Sequence, residues 1–304
     1  MAGITTTPAE ARTQKLAQLV AAQTREDGLF NTACPGLAVS RVSTPMPRLP
    51  IAYKPSLCVV VQGQKQIYIG SEVHTYNPQN YLVVPLAMPL EMEIKNVTPE
   101  NPLLGLGLEL DLKMISELLL SIDEPVSATT TPRKCPRATY VSQAVPAIQD
   151  ALIRLLELLD TPEDLRVLGP STIREIVYRL LQHEQGGNIR KLVQSGSNGQ
   201  RVASLIRYLN SNYGERLSIE DIASQAGMST SSLHQKFRDV TGLSPLQYLK
   251  KIRLHNARAA MVEQGLNARE AGYKVGYSNP SQFSREFKRM FGAAPGQLVK
   301  SLLD

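Results

Sequence analysis

Apolar residues change their spacing along this chain, and each change predicts a different kind of element. Within residues 36–112 they fall in short runs or alternations, at 57–61, 67–69, 73–76, 81–84, 88–94 and 103–110. Gln62-Gly63, Gly70, Pro78, Pro85, Pro89 and Pro99 mark turns or strand edges among them, so the stretch reads as short strands of a sandwich or small barrel. Residues 1–30 read as a polar helix and a loop, with a narrow apolar face from Leu16, Leu19 and Val20. Beyond a Thr/Pro-rich connection at 125–136 the spacing becomes helical, first at Ile148, Leu152, Leu155, Leu156 and Leu159, then at Ile173, Ile176, Val177, Leu180 and Leu181. Residues 161–170 separate these two amphipathic helices, and the helical region spans 146–184. Its apolar faces can pack within the chain or against a second copy of it, and the pattern leaves both open. A short helix at 189–193 precedes Ser195-Gly196-Ser197-Asn198-Gly199, the clearest flexible linker in the sequence.

Charge sharpens that division. The formal net charge is +6, yet residues 201–304 hold 15 Lys and Arg against 8 Asp and Glu, while the first 200 hold 18 against 19. A basic module attached to a neutral body suggests a nucleic-acid partner, although a solvated basic surface accounts for the same charge. The apolar runs are too short to span a bilayer, and no charged start followed by an apolar core marks a secretory signal. A cytoplasmic protein without a membrane partner is expected. Cys34, Cys58 and Cys135 are too few and too widely spaced for a disulfide framework or a zinc site, and read as ordinary thiols of a reducing compartment.

The basic third contains one pattern twice. Phe237-Arg238, Gly242, Pro245 and Gln247 return 50 residues later as Phe287-Lys288, Gly292, Pro295 and Gln297. Ile219, Ile222, Ala226, Gly227 and Ser229 return 49 residues later as Ala268, Ala271, Val275, Gly276 and Ser278. Each copy reads as helix, tight turn, helix. Ser218 caps the first helix and Asp221 closes a capping box. Ile219, Ile222, Ala223 and Ala226 form its buried stripe, and Gly227 makes the turn. Ser229 caps a second helix with Leu233, Phe237 and Val240 inward, ending at Gly242. In the other copy Asn267 and Glu270 form the box, Gly276 turns the chain and Asn279-Pro280 starts the next helix. Phe283, Phe287 and Met290 face inward there, and Gly292 ends it. A long helix from Ser244-Pro245 to Met261 joins the units. About 17 residues at ~1.5 Å each make a rod of roughly 25 Å, suited to presenting two reading helices to successive major-groove segments.

The outward faces of the two reading helices are polar and cationic, and an α-helix fits the major groove. Thr230, Ser231, His234 and Gln235 are the candidate base readers of the first unit, and Asn279, Ser281 and Arg285 those of the second. Arg238, Lys288 and Arg289 are candidate phosphate contacts, which anchor without specifying sequence. The alternative for all of them is a solvated helix surface.

Residues 201–300 resemble the DNA-binding domain of the AraC-type transcription regulators. The resemblance rests on Val275-Gly276-Tyr277, on the run Ser281-Gln282-Phe283-Ser284-Arg285-Glu286-Phe287-Lys288-Arg289-Met290-Phe291-Gly292, and on Pro295. Leu217, Ile222, Ala223, Ser229, Leu233, Phe237 and Gly242 carry it in the first unit, and Pro245, Tyr248, Arg253 and Ala257 in the joining helix. Two positions depart from the family pattern. Gln235 stands where many members carry arginine, which implies a different base readout in the first unit, and Gly272 stands where alanine is usual. Residues 30–190 are similar, through 57–63 and 81–85, to the cupin-like β-barrel and helices of one branch of the family, which implies ligand sensing or dimerisation.

The expected fold class is therefore α+β: an N-terminal cupin-like β-barrel with flanking helices, then an all-α domain of two helix-turn-helix units joined by a long helix. The expected domains are an effector or dimerisation domain at 1–194, a linker at 195–200 and a DNA-binding domain at 201–304. The expected partners are double-stranded promoter or operator DNA, a small-molecule effector, RNA polymerase if the protein activates, and a second copy of the chain. No catalytic residue, metal or cofactor is assigned. His74 alone in the barrel region cannot supply the histidine and carboxylate cluster that a metal-dependent enzyme of this fold needs. A cupin-like enzyme or sensor merely targeted to DNA is the competing reading.

Overall fold

The computed structural model describes residues 7–69, 72–122, 139–183, 185–194 and 197–303. The connection at 125–136, Gly70, Cys135 and the Ser195-Gly196 pair lie outside the described residues. Helix α1 (Pro8–Gln23) starts at a capping box between Thr7 and Glu10. The described strands follow as β1 (Gly28–Asn31), β2 (Leu37–Val42), β3 (Met46–Tyr53), β4 (Ser56–Gln62), β5 (Lys65–Ile69), β6 (Glu72–Tyr76), β7 (Asn80–Val84), β8 (Met88–Ile94) and β9 (Leu103–Glu109). After helix α2 (Leu112–Leu120), strand β10 (Tyr140–Gln143) returns to pair with β7.

All pairings are antiparallel, and they make two sheets in the orders β1-β2-β9-β4-β7-β10 and β3-β8-β5-β6. The expected barrel is thus an open pair of sheets and not a closed cylinder. The chain passes from one sheet to the other at Gly63, whose φ is +80°. At the β3 edge, Pro47 and Pro50 lack the N–H that another ladder requires, and the pairing with β8 shifts register between Met46 and Leu49. Strand β4 is central and buried on both faces, which explains its unbroken apolar run. Its Leu57 and Val61 join the core under the helices, while Cys58 and Val60 face the space between the sheets.

Helices α1, α3 (Pro146–Glu157) and α4 (Pro162–Gln182) cover the outer face of the larger sheet, where Leu16, Val20, Leu152, Leu155, Ile176 and Leu180 are buried. The stretch 161–170, expected as a separator, is Thr161 and the first half of α4, preceded by a short 3-10 turn at Leu158–Asp160. Pro162 at the first helical turn and Glu163 and Asp164 beside it favour that start. Pro170 is held inside the helix, where the Leu168 carbonyl accepts the hydroxyls of Ser171 and Thr172.

Helix α5 (Gly186–Val193) packs on α6 (Asn198–Ser211), which begins within the glycine-rich stretch because Ser197 caps it at the Gln200 N–H. The remaining elements are α7 (Ile219–Gln225), α8 (Thr230–Thr241), α9 (Pro245–Glu263), α10 (Ala268–Lys274), α11 (Pro280–Phe291) and α12 (Pro295–Leu303). Helix α9 lies on β8 and β3, and α11 also touches β3. One apolar core runs from the smaller sheet, through Leu86 and Met88, to Tyr248, Leu249 and Ile252 of α9.

Candidate nucleic-acid interface

The repeat folds into two helix-turn-helix units, α7–α8 and α10–α11. Both capping boxes form, Ser218 with Asp221 and Asn267 with Glu270. Gly227, Gly242, Gly276 and Gly292 all adopt positive φ at the expected turns and stops. The joining helix α9 has its own box between Ser244 and Gln247, and at 19 residues it is slightly longer than expected.

The inward stripes differ from the expected ones at one position in each unit. Leu233, Phe237 and Thr241 are buried in α8, and Phe283, Phe287 and Phe291 in α11, whereas Val240 and Met290 are only half-buried. Spacing of i, i+4 and i+8 continues the same face one residue past the i+7 position. Thr241 tolerates burial because its hydroxyl donates to the Phe237 carbonyl and receives the Leu243 N–H.

The candidate reading residues lie away from these stripes. Thr230, Ser231, Gln235, Arg238, Asn279, Ser281, Arg285, Lys288 and Arg289 are exposed and His234 is half-buried. Ser231, Gln235 and Arg238 on α8 match Ser281, Arg285 and Lys288 on α11 at the 50-residue shift, so both helices display the same outward row. Asn279 is partly committed: its side-chain oxygen accepts the N–H groups of Ser281 and Gln282 as a cap. Gln282 and Glu286 were missed by sequence reasoning. With Arg285 and Arg289 they line a shallow concavity on α11, and the spacing 282, 285, 286, 289 was the available signal.

Glu286 fixes the orientation of that face. Its carboxylate accepts from Lys250 Nζ of α9 at 2.9 Å and from the Tyr277 hydroxyl at 2.8 Å. Burial raises its pKa, but the Lys250 and Tyr277 interactions outweigh that effect and hold it below the usual carboxylate value. Arg253, on the same helix α9, donates to the carbonyls of Tyr213 at 2.7 Å and Glu215 at 2.6 Å. Both units are therefore tied to one rod.

A second feature lies between the two sheets, a cleft of about 800 Å³. Its walls include Ile51, Val60, Met92 and Ile94, and its floor includes Gly105 and Gly107 of β9, where a side chain at 107 would meet open space. The Tyr53 hydroxyl is buried there without a hydrogen-bond partner among the described residues, and Lys65 Nζ stands 5.6 Å from the Tyr53 ring. Cys58 also lines the cleft. Burial pushes its thiol up against the opposing effects of Ser56 and Lys65, the behaviour of an unreactive thiol. His74, outside the cleft lining, lies 3.3 Å from Glu72. Among the described residues no group of three His, Cys, Asp or Glu side chains could hold a metal.

A family model described as the AraC-type transcriptional regulator N-terminus matches residues 33–188, more than half of the chain. The chain belongs to the AraC-type transcriptional regulators. A helix-turn-helix domain model matches residues 222–301 of this AraC-type chain, which spans both reading helices. The HTH-type transcriptional activator RhaS of Pectobacterium atrosepticum is 29% identical over 141 residues, 46% of this chain and 48% of that protein. RhaS of Pectobacterium carotovorum is 30% identical over 104 residues, 34% and 37% of the two chains. The chain thus spans half or less of the length of these curated relatives. In fold it is similar to ToxT of Vibrio cholerae, solved with an unsaturated fatty acid bound. That match has a TM-score of 0.57 at 12% identity, over 91% of this chain and 97% of ToxT. No helix among the described residues is long and apolar enough to cross a membrane.

Proposed function

We propose that this AraC-type chain is a cytoplasmic transcription regulator, and not an enzyme, that binds double-stranded DNA through α8 and α11. The single observation that carries the reading is the matched outward row, Ser231, Gln235 and Arg238 with Ser281, Arg285 and Lys288, on two helices fixed to one rod. Arg285 is suited to guanine and Gln235 to adenine, each in bidentate fashion. Arg238, Lys288 and Arg289 neutralise phosphates. On this reading residues 201–304 bind DNA, 195–200 connect, and 1–194 respond to an effector.

The inter-sheet cleft is the effector site in this proposal. Its chemistry favours a molecule with a long apolar body and one anionic or hydrogen-bond-accepting head, directed at Tyr53 and Lys65. The unsaturated fatty acid bound to ToxT is of that class. By likeness to the RhaS activators, the chain activates transcription, and in this proposal RNA polymerase is then a partner. Exposed Val167 and Leu168 on α4 offer a seam for a second copy, which sedimentation velocity tests. The decisive experiment is a gel-shift titration of the full chain on DNA upstream of the genes it controls, across a salt series. Specific retention is expected, with affinity falling steeply as salt rises. Arg285→Ala is expected to cost about 1–3 kcal/mol of discrimination. Failure to retain any duplex at low salt would remove the proposal.

A further inference from the structure

The wall between the cleft and the DNA-binding helices is only one sheet thick. It is built from β3 and β8, whose residues alternate between the two sides. On β8, Met92 and Ile94 face the cleft while Glu91 and Glu93 face outward. On β3, Ile51 and Tyr53 line the cleft and Arg48 lies on the outer side with Glu91. The outer side of this wall is where α9 and α11 rest.

Glu91 bridges the two parts of the molecule. One carboxylate oxygen accepts from Arg48 Nε of β3 at 2.6 Å, and the other accepts from Lys251 Nζ of α9 at 3.1 Å. One turn earlier on α9, the fully buried Tyr248 donates its hydroxyl to the Ala87 carbonyl at 2.8 Å, immediately before β8 begins. The same hydroxyl accepts from Asn210 of α6 at 2.7 Å. Helix α9 in turn holds the reading units, through Lys250 to Glu286 of α11 and through Arg253 to the loop before α7. A displacement of β8 therefore has a hydrogen-bonded route through α9 to α11 and to the loop before α7, and reaches α8 through its packing on α9.

We propose that Glu91 is an inter-domain latch. With Arg48 and Lys251 it holds α9, and with it the second reading helix, against the β3–β8 wall. Because α11 touches β3, the latch also fixes the second reading helix against the smaller sheet, and in this proposal the latched state binds DNA less tightly. An occupant of the cleft presses on Met92 and Ile94, moves the outward Glu91 on the same strand, and loosens the latch. This inference rests on reading the cleft as the effector site and α8 and α11 as the DNA contacts.

The test uses the full chain, a fluorescently labelled duplex of random sequence at low salt, and small-angle X-ray scattering of the free protein. Glu91→Gln is compared with Glu93→Gln. The second variant makes the same charge change on the same face, but Glu93 bonds Tyr68 and Lys95 and not the helical domain. Glu91→Gln is expected to bind duplex roughly fivefold or more tightly than the native chain and to show a larger radius of gyration, while Glu93→Gln matches the native chain in both. Lys251→Gln is expected to give the same expansion from the other side of the contact. Equal behaviour of the Glu91 and Glu93 variants overturns the latch, as does weaker binding by Glu91→Gln. If no form of the protein binds duplex, the DNA reading fails instead. Scattering then still decides the latch: an expanded Glu91→Gln particle supports it, and an unchanged one removes it.

Discussion

At the scale of single residues, two positions in the helical domain show how packing overrides local preference. Gly272 lies inside α10, where glycine costs up to about 1 kcal/mol against alanine. The Phe283 ring occupies the space, with its nearest atom 3.1 Å from where a Cβ would stand. Gly276 is more tightly required. Its φ is +87°, and a Cβ there would sit 2.6 Å from the Gly214 carbonyl oxygen, backbone that cannot swing aside. Gly276→Ala is expected to lower unfolding free energy by about 2 kcal/mol or more, measured by urea titration. A change below a few tenths would show that the turn of the second unit and the loop before α7 do not meet at this point.

His255 of α9 carries a pH dependence. It is buried edge-on against Phe291, and neither ring nitrogen has a hydrogen-bond partner among the described residues. Burial, reinforced by the Arg258 and Lys251 cations, lowers its pKa from 6.5 to about 3. The folded state therefore binds fewer protons here than the unfolded chain between those values. Stability from this group is complete above pH 6.5 and is lost as pH falls towards 3. The loss by pH 4 is on the order of 3 kcal/mol. Thermal melts of native protein and His255→Leu at pH 7 and pH 4 check this. The native protein is expected to lose more of its melting temperature on acidification, and parallel losses would refute the assignment.

At the scale of elements, the helical third is legible in the sequence because its signals are local. A capping box operates within four residues, and a turn glycine acts at its own position. Asn267 receives the N–H groups of Arg269 and Glu270 while Glu270 receives the Asn267 N–H. Asn267→Ala is accordingly expected to cost about 1 kcal/mol and to loosen α10, visible as faster amide exchange in that helix. Elements were missed where the local signal was weak or contradictory. Strand β3 contains two prolines, β10 has only four residues, and the early part of α4 lies between prolines 162 and 170. Each is stabilised by its neighbours: β3 by its ladder to β8, β10 by β7, and α4 by α3.

At the scale of the whole molecule, the cleft is the feature that sequence left invisible. Its lining comes from separate strands of two sheets, and only Gly105-x-Gly107 within a strand hinted at a place where something approaches closely. Gly107→Ile places a branched side chain in open space on the cleft floor. It is expected to leave the fold and basal duplex binding intact while abolishing any response of DNA binding to amphipathic acids. Anisotropy titrations with and without a fatty acid check this, and a retained response would move the effector site elsewhere.

The chain by itself determined the repeated helix-turn-helix pair, its caps, the basic charge of the last third and the residues on the outward row. All of these are fixed by spacings of a few residues or by composition. Tertiary structure alone decided that the sheets stay open around a cleft, that Tyr248 meets Ala87, and that Lys251 reaches Glu91 across 160 positions of sequence. Such contacts leave no periodic trace, because they depend on how separately formed surfaces come to rest against each other.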